Sequence, residues 1–313
     1  MTTSPSPAST VPRTIGFVGV GTMGAPIARR LLGAGHTVRV ADRSPDAADV
    51  LVDDGAERCD HPEEAAAGAH TVFCSLPGPD EVRTCVVGDH GVLATDPLPR
   101  FVVDLSTNEP ATVRDLATRC DAAGVTFVDA PVSGGAAKAV TGELSVMLGA
   151  RADAVPELDP LLRSFATEVF HVGDVGTGTV AKLVNNQLFL AGEVLVQEAY
   201  LLAAAHGLDP ADLHEVVRAS SGGTYAALAP LLLSRRFDDV IFRLDIAAKD
   251  LRLARDAARD AGVDVPTTEG ALTVFEAAVA AGHGGSVFHA TLLELEQRAG
   301  IAVRPLVRRR RAS

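Results

Sequence analysis

The chain has 313 residues, 47% of them apolar, enough for about two packed domains and unlike a disordered or collagen-like composition. Its 28 basic and 40 acidic residues leave a net charge of −12, which repels nucleic acid and anionic membrane over most of the surface, so an anionic ligand needs a local site. The four cysteines form no C-x-x-C pair, which suits reduced thiols in the cytoplasm, and the scattered His and Cys residues offer no metal-ligand spacing.

Residues 1–12 are rich in Ser, Thr and Pro, lack the apolar run of a secretory signal, and are expected to form a disordered leader. From there β-branched or aromatic-rich runs recur, bounded by Gly, Pro or Asp: Thr14 to Val18, Thr37 to Ala41, Thr71 to Leu76, Phe101 to Leu105, Val125 to Asp129, Leu144 to Leu148 and Glu168 to Val172. Helical patterns such as Met23 to Leu32 and Pro110 to Ala122 lie between them. Alternation of this kind predicts an α/β, Rossmann-type doubly wound, mostly parallel sheet over 13–174.

After Gly173 the strand signals stop. Gly176 to His206 is expected to form one long inter-domain helix, apolar on almost every side and therefore buried against several neighbours. Within it Leu188 to Ala205 is interrupted by Glu193, Gln197 and Glu198, which argues for a core helix and against a membrane span. Asp209-Pro210 caps a helix to about Ser220, and further helices are expected over Leu244 to Ala261, Thr267 to Ala281 and Val287 to Ala299. The second domain, over 175–302, is thus all helical, and 303–313 forms a basic tail with Arg308 to Arg311, a solvated terminus rather than a nucleic-acid arm.

Chemistry concentrates in a few segments. Gly19-Val20-Gly21-Thr22-Met23-Gly24 follows the first strand and opens the first helix, the context in which a G-x-G-x-x-G pattern places a dinucleotide pyrophosphate on a helix N-terminus. Asp42, ending the second strand, stands where a carboxylate accepts ribose hydroxyls and favours NAD, whereas the adjoining Arg43 and Ser44 suit the 2′-phosphate of NADP; NAD is the slightly preferred reading. Ser133-Gly134-Gly135 after a strand offers backbone N–H groups beside a hydroxyl, an arrangement suited to a substrate carboxylate.

Lysine is scarce: 25 of the basic residues are Arg, and only Lys138, Lys182 and Lys249 are Lys. Arg cannot cycle a proton, whereas a desolvated Lys can act as a base. Lys182 lies in the first turns of the long helix with Asn186 on the same face. Lys249 adjoins Asp250, where a surface ion pair is the simpler expectation.

With these motifs in this order, from about Thr14 to Gly300, the chain resembles the β-hydroxyacid dehydrogenases, which include 3-hydroxyisobutyrate dehydrogenase and tartronate semialdehyde reductase and share a 6-phosphogluconate dehydrogenase-like core. The segments that carry the resemblance are Gly16 to Gly24, Leu76-Pro77, Asp104-Leu105-Ser106-Thr107, Ser133-Gly134-Gly135 through Gly142, Lys182 to Asn186 and Lys249-Asp250-Leu251. The resemblance implies an NAD(P)-dependent oxidoreductase interconverting a small 3-hydroxy acid and its semialdehyde. It further implies Lys182 as general acid/base, Asn186, Ser133, Gly134 and Gly135 on the substrate, and Leu76, Pro77, Thr107 and Lys249 at the cofactor.

Lys138 stands where that pattern has Gly or another small residue, Val287 and His289 stand where it often has Asp and Ser, and Ser220 to Tyr225 lacks an Asn-Pro run. The alternatives are an imine reductase, which usually carries Asp or Tyr where Lys182 stands, and a catalytically silent cofactor-binding module. A decarboxylase of the 6-phosphogluconate type needs a longer helical region. Exposed apolar helix faces are expected to pair in a homodimer or homotetramer.

Overall fold

The computed structural model describes residues 11–304, so most of the expected leader and the run Arg308 to Arg311 lie outside the described residues. The chain divides into two compact units, one ending at Lys182 and the other beginning at Leu183.

The first unit is built on β1 (Thr14–Val18), β2 (Thr37–Ala41), β3 (Glu57–Cys59), β4 (Thr71–Cys74), β5 (Phe101–Asp104), β6 (Thr126–Asp129), β7 (Val132–Ser133), β8 (Leu144–Gly149) and β9 (Ala166–Gly173). Its helices are α1 (Gly24–Gly33), α2 (Pro45–Val52), α3 (Pro62–Ala66), α4 (Pro79–Val87), α5 (Pro110–Ala122), α6 (Gly135–Thr141) and α7 (Val155–Leu162). Pro45, Pro62, Pro79 and Pro110 each start a helix, where a missing N–H costs nothing and the fixed φ is already helical.

The strands lie in the order β3-β2-β1-β4-β5-β6-β8-β7, with β9 paired to β8. The pairings from β3 through β6 are parallel, β8 runs antiparallel to β6 and β7, and β9 returns parallel to β8. The sheet reverses its winding between β1 and β4, and ligands bind such sheets at the carboxyl ends beside that point. Both faces are covered. Ile15, Phe17, Val40 and Phe73 pack into one core, and Val18, Val72, Cys74 and Phe127 into the other. Burial of each such side chain contributes about 1.5–3 kcal/mol, which is why these strands read as unbroken apolar runs.

The helix α8 (Thr177–Ala205) carries the chain from the first unit into the second, which adds α9 (Pro210–Arg218), α10 (Ala229–Ser234), α11 (Leu244–Asp260), α12 (Pro266–Ala278) and α13 (Thr291–Ala299). Leu190 and Val194 of α8 pack with Leu244, Leu251 and Phe275, while Val196 and Tyr200 pack with Leu232 and Leu292.

The expectation of burial on every side of α8 is corrected. Val184, Leu188, Leu195 and Leu202 are exposed, Leu188 by 72%. Their spacing places them on one stripe of the helix, so only the opposite stripe finds partners. By length and composition α8 could cross a membrane, a test that the core helix of a globular unit also passes. Glu193 and Gln197 are fully buried in the helical unit and bonded to each other, 3.1 Å apart.

Candidate active site

The glycine turn after β1 is set by steric demand. Gly19 has φ +89°, and a Cβ there would meet the Ser75 carbonyl; a Cβ on Gly24 would strike the Gly19 carbonyl. Gly21 has open space where its Cβ would be, so the backbone can be approached closely. Next to it α1 begins after the N-cap Met23 with no side-chain cap and no acid in its first turn, leaving the N–H groups of Thr22 and Met23 for an anion, while that of Ala25 bonds the Gly21 carbonyl at 3.0 Å. An open glycine beside an uncapped helix start fits a dinucleotide pyrophosphate.

Asp42 closes this turn. One carboxylate oxygen accepts from the Val20 N–H and the other from the Ser44 N–H, each at 2.8 Å, so the acid is locked at the end of β2 with two of its lone-pair sites still available. Arg43 beside it is exposed.

The next turn is held by Asp104 and Ser106, which lie in a segment that carries the resemblance but had no role assigned, and by Asn108. Asp104, buried at the end of β5, accepts from the Ser106 N–H at 3.0 Å and from the Asn108 side chain at 2.9 Å. The Ser106 hydroxyl accepts the Leu76 N–H at 2.9 Å, so one network fixes both the Leu76-Pro77 turn and the Thr107 turn. Burial pushes the Asp104 carboxyl up to about 6 against the pull of these bonds.

Asp129 at the end of β6 does comparable work for α8. It is 1% exposed, and its two oxygens accept the backbone N–H groups of Gly176 and Thr179, each at 2.7 Å. These are the orphan donors of the α8 start, so a carboxylate caps a helix N-terminus where both charge and hydrogen bonding favour it. The helix can come this close because Gly178 and Gly149 face one another; a Cβ on Gly178 would stand 2.8 Å from the Gly149 nitrogen. Ser133, Gly134 and Gly135 follow Asp129 by a few residues, Gly134 and Gly135 with φ +130° and +73°. Lys182, half-buried, follows on α8 within the same unit. One acidic side chain thereby ties the strand leading into the Ser-Gly-Gly turn to the helix that carries the lysine.

Lys138 does not disturb the turn. It sits in α6 as an ordinary helical residue, and the positive-φ glycines precede it. Its side chain lies over Gly134, so the departure from the small-residue pattern changes charge rather than backbone course.

In the second unit Asn186, 5% exposed, donates to Asp250 at 2.6 Å and accepts from Asn185 at 3.1 Å. Lys249 lies 2.8 Å from the other Asp250 oxygen, an ion-pair contact without well-aligned hydrogen-bond geometry. The ion pair expected at Lys249-Asp250 is present but is not a surface pair: Asp250 is 1% exposed and also serves as the buried anchor of Asn186.

Residues 14–173 match the family described as the NAD binding domain of 6-phosphogluconate dehydrogenase, and residues 176–295 match the NAD-binding family of NADP-dependent 3-hydroxyisobutyrate dehydrogenase. The chain is 35% identical over 292 residues to 2-(hydroxymethyl)glutarate dehydrogenase of Eubacterium barkeri, covering 92% of this chain and 97% of that one. It is 34% identical over 298 residues to 3-sulfolactaldehyde reductase of Escherichia coli, covering 93% and 98%. The solved structure of Mycobacterium tuberculosis 3-hydroxyisobutyrate dehydrogenase with L-serine superposes with TM-score 0.83 at 30% identity, over 91% of this chain and 99% of that one. An imine reductase from Myxococcus stipitatus shares the fold at TM-score 0.59 and 19% identity, over 91% of this chain and 100% of that one.

Proposed function

The chain belongs to the β-hydroxyacid dehydrogenase family, and on that premise we propose that it interconverts a small 3-hydroxy acid and its semialdehyde, with Lys182 as the general acid/base. It is an NAD(P)-dependent oxidoreductase acting on CH–OH groups. The observation that carries the residue assignment is the Asp129 cap, which fixes the start of the lysine-bearing helix to the strand that leads into Ser133-Gly134-Gly135.

In this reading the Ser133 hydroxyl and the backbone of Gly134 and Gly135 hold the substrate carboxylate. Neutral Lys182 takes the proton of the C3 hydroxyl, and in the reductive direction its ammonium returns a proton to the carbonyl oxygen. Asn186, its amide oriented by Asp250, positions the reacting oxygen. The nicotinamide cofactor supplies or accepts the hydride. Gly19, Gly21, Thr22, Met23, Gly24, Asp42 and Arg43 hold its pyrophosphate and adenosine ends, and Leu76, Pro77, Thr107 and Lys249 line its site.

NAD is favoured over NADP because the locked Asp42 carboxylate would stand against a 2′-phosphate. The exposed stripe of α8, with Leu188, Leu195 and Leu202, supports packing against a second copy in a homodimer or homotetramer. The cysteines, Cys59, Cys74, Cys85 and Cys120, are all free thiols, in keeping with a cytoplasmic enzyme.

The test is reduced-nicotinamide absorbance over a panel of 3-hydroxy acids and semialdehydes, with NAD and NADP separately, for wild type and Lys182→Ala. The expected result is turnover that falls by about 10²–10⁴-fold in the variant while cofactor affinity is kept. Unchanged kcat in Lys182→Ala rules out the assigned role.

A further inference from the structure

The substrate-carboxylate turn carries a cation that the proposed reaction does not use. A Cβ built on Gly134 would lie 2.8 Å from Lys138 Cδ and 3.1 Å from its Cβ, so the lysine stem packs over Gly134 of the Ser133-Gly134-Gly135 turn. Lys138 is exposed, and among the described residues no acid pairs with it. The acid that follows α6, Glu143, is bonded to the Thr141 hydroxyl at 2.8 Å instead.

Several exposed cations of the first unit are neutralised, as in Arg29 with Asp54, Arg58 with Asp49 and Arg163 with Asp159, whereas no acid meets Lys138 among the described residues. An unneutralised ammonium is thus retained at one edge of the turn, in a chain whose net charge is −12. Such a local positive potential attracts a ligand more negative than the single carboxylate that the turn itself takes.

From this juxtaposition we propose that Lys138 forms a second anion subsite beside the carboxylate turn, so that the preferred substrates are dianionic 3-hydroxy acids bearing a further carboxylate or similar anionic group. The inference rests on the reading that Ser133, Gly134 and Gly135 hold a substrate carboxylate. Lys138 contributes binding and selectivity and takes no part in proton transfer. Its ammonium acts as a point charge on a flexible stem, so position tolerances are loose and charge is what counts.

The experiment compares a matched pair of substrates, monoanionic 3-hydroxypropanoate and dianionic 2-(hydroxymethyl)succinate, with wild type, Lys138→Gln and Lys138→Arg. Wild type is expected to show the lower KM for the dianion, a preference that narrows as salt is raised. In Lys138→Gln the dianion KM rises by about fivefold, the size expected of an exposed charge pair, with kcat and the monoanion KM unchanged. Lys138→Arg restores most of the dianion preference. Equal KM changes for both substrates, no change for either, or turnover of the monoanion alone would overturn the subsite while leaving the dehydrogenase reading intact. Absence of Lys182-dependent turnover on both substrates, with cofactor still bound, would overturn that reading and the subsite with it.

Discussion

Two buried carboxyl groups, Asp129 and Glu193, meet the same cost of burial in different ways. Burial raises the pKa of each, but both Asp129 oxygens are met by backbone donors of the α8 start, which offset part of that rise. Glu193, farther along α8 and fully buried, has one oxygen bonded to Gln197 and the other without a partner, and burial pushes its carboxyl up to about 7. The same pocket of polarity in the helical unit holds His289, both of whose ring nitrogens lack partners, and burial lowers its pKa to about 4. Gln197 joins the group by bonding the His289 carbonyl at 3.3 Å and the Thr291 hydroxyl at 2.8 Å. The contrast shows what a fixed array of N–H donors accomplishes. It stabilises a buried charge where a helix must be held in place, and without it a buried acid keeps its proton.

The largest effect should come from breaking the satisfied end of that comparison. Asp129→Ala leaves the Gly176 and Thr179 N–H groups buried without acceptors, at about 1–3 kcal/mol each. Denaturant unfolding should show a loss of about 4 kcal/mol. Asp129→Asn, which keeps one acceptor and the shape, should lose less than half as much. Equal stability of all three proteins would remove the cap from the account.

The unsatisfied end predicts two opposing pH dependences. The folded Glu193 pKa of about 7 lies above the ordinary carboxyl value of 4.5, so the folded state keeps a proton that the unfolded state releases. Stability therefore falls as pH rises from 4.5 to 7, by about 3 kcal/mol, and stays low above. His289 acts in the other direction: folded near 4 against an ordinary 6.5, it costs stability as pH falls from 6.5 to 4, by a similar amount. Over their shared window the two slopes nearly cancel in the wild type. Glu193→Gln should expose the histidine slope, stability then rising with pH, and His289→Asn should expose the glutamate slope, stability falling with pH. Flat profiles from pH 4.5 to 7 in both variants would contradict the assignment.

A smaller effect is expected at the second anchored group. Asp250→Ala frees the Asn186 amide and should lower kcat/KM by about 30-fold, roughly 2 kcal/mol, with cofactor affinity little changed. A loss confined to the cofactor Kd would place Asp250 with Lys249 rather than with Asn186.

The architecture was largely legible in the chain because its signals are local. The glycine turn after β1, the Pro-started α5 and the single long α8 all announce themselves within a few residues of sequence, and the 29-residue length of α8 agrees with the pattern. Short elements escaped: β3, the two-residue β7 and α10 are too brief for periodicity to register. The helix expected to Ala281 ends instead at Ala278, where a π turn containing Gly282 at φ +94° redirects the chain.

Of the candidate site, the glycines and lysines could be named from motif and scarcity. The roles of Asp129 and Asp250 could not, because their partners lie 47 and 64 residues away in sequence, at Gly176 and Asn186. The exposed stripe of α8 was hidden for a related reason. An all-apolar helix does not say which of its faces the rest of the fold will cover.

In the proposed reaction Lys182 cycles a proton rather than merely supplying a positive charge. Substitution by Arg separates the two, since a guanidinium keeps the charge and cannot release its proton at working pH. The decisive measurement is kcat of Lys182→Arg at saturating cofactor and substrate, beside Lys182→Ala. Both are expected to fall by about 10²-fold or more with cofactor affinity preserved. Retention of a tenth or more of wild-type kcat by Lys182→Arg would contradict proton cycling.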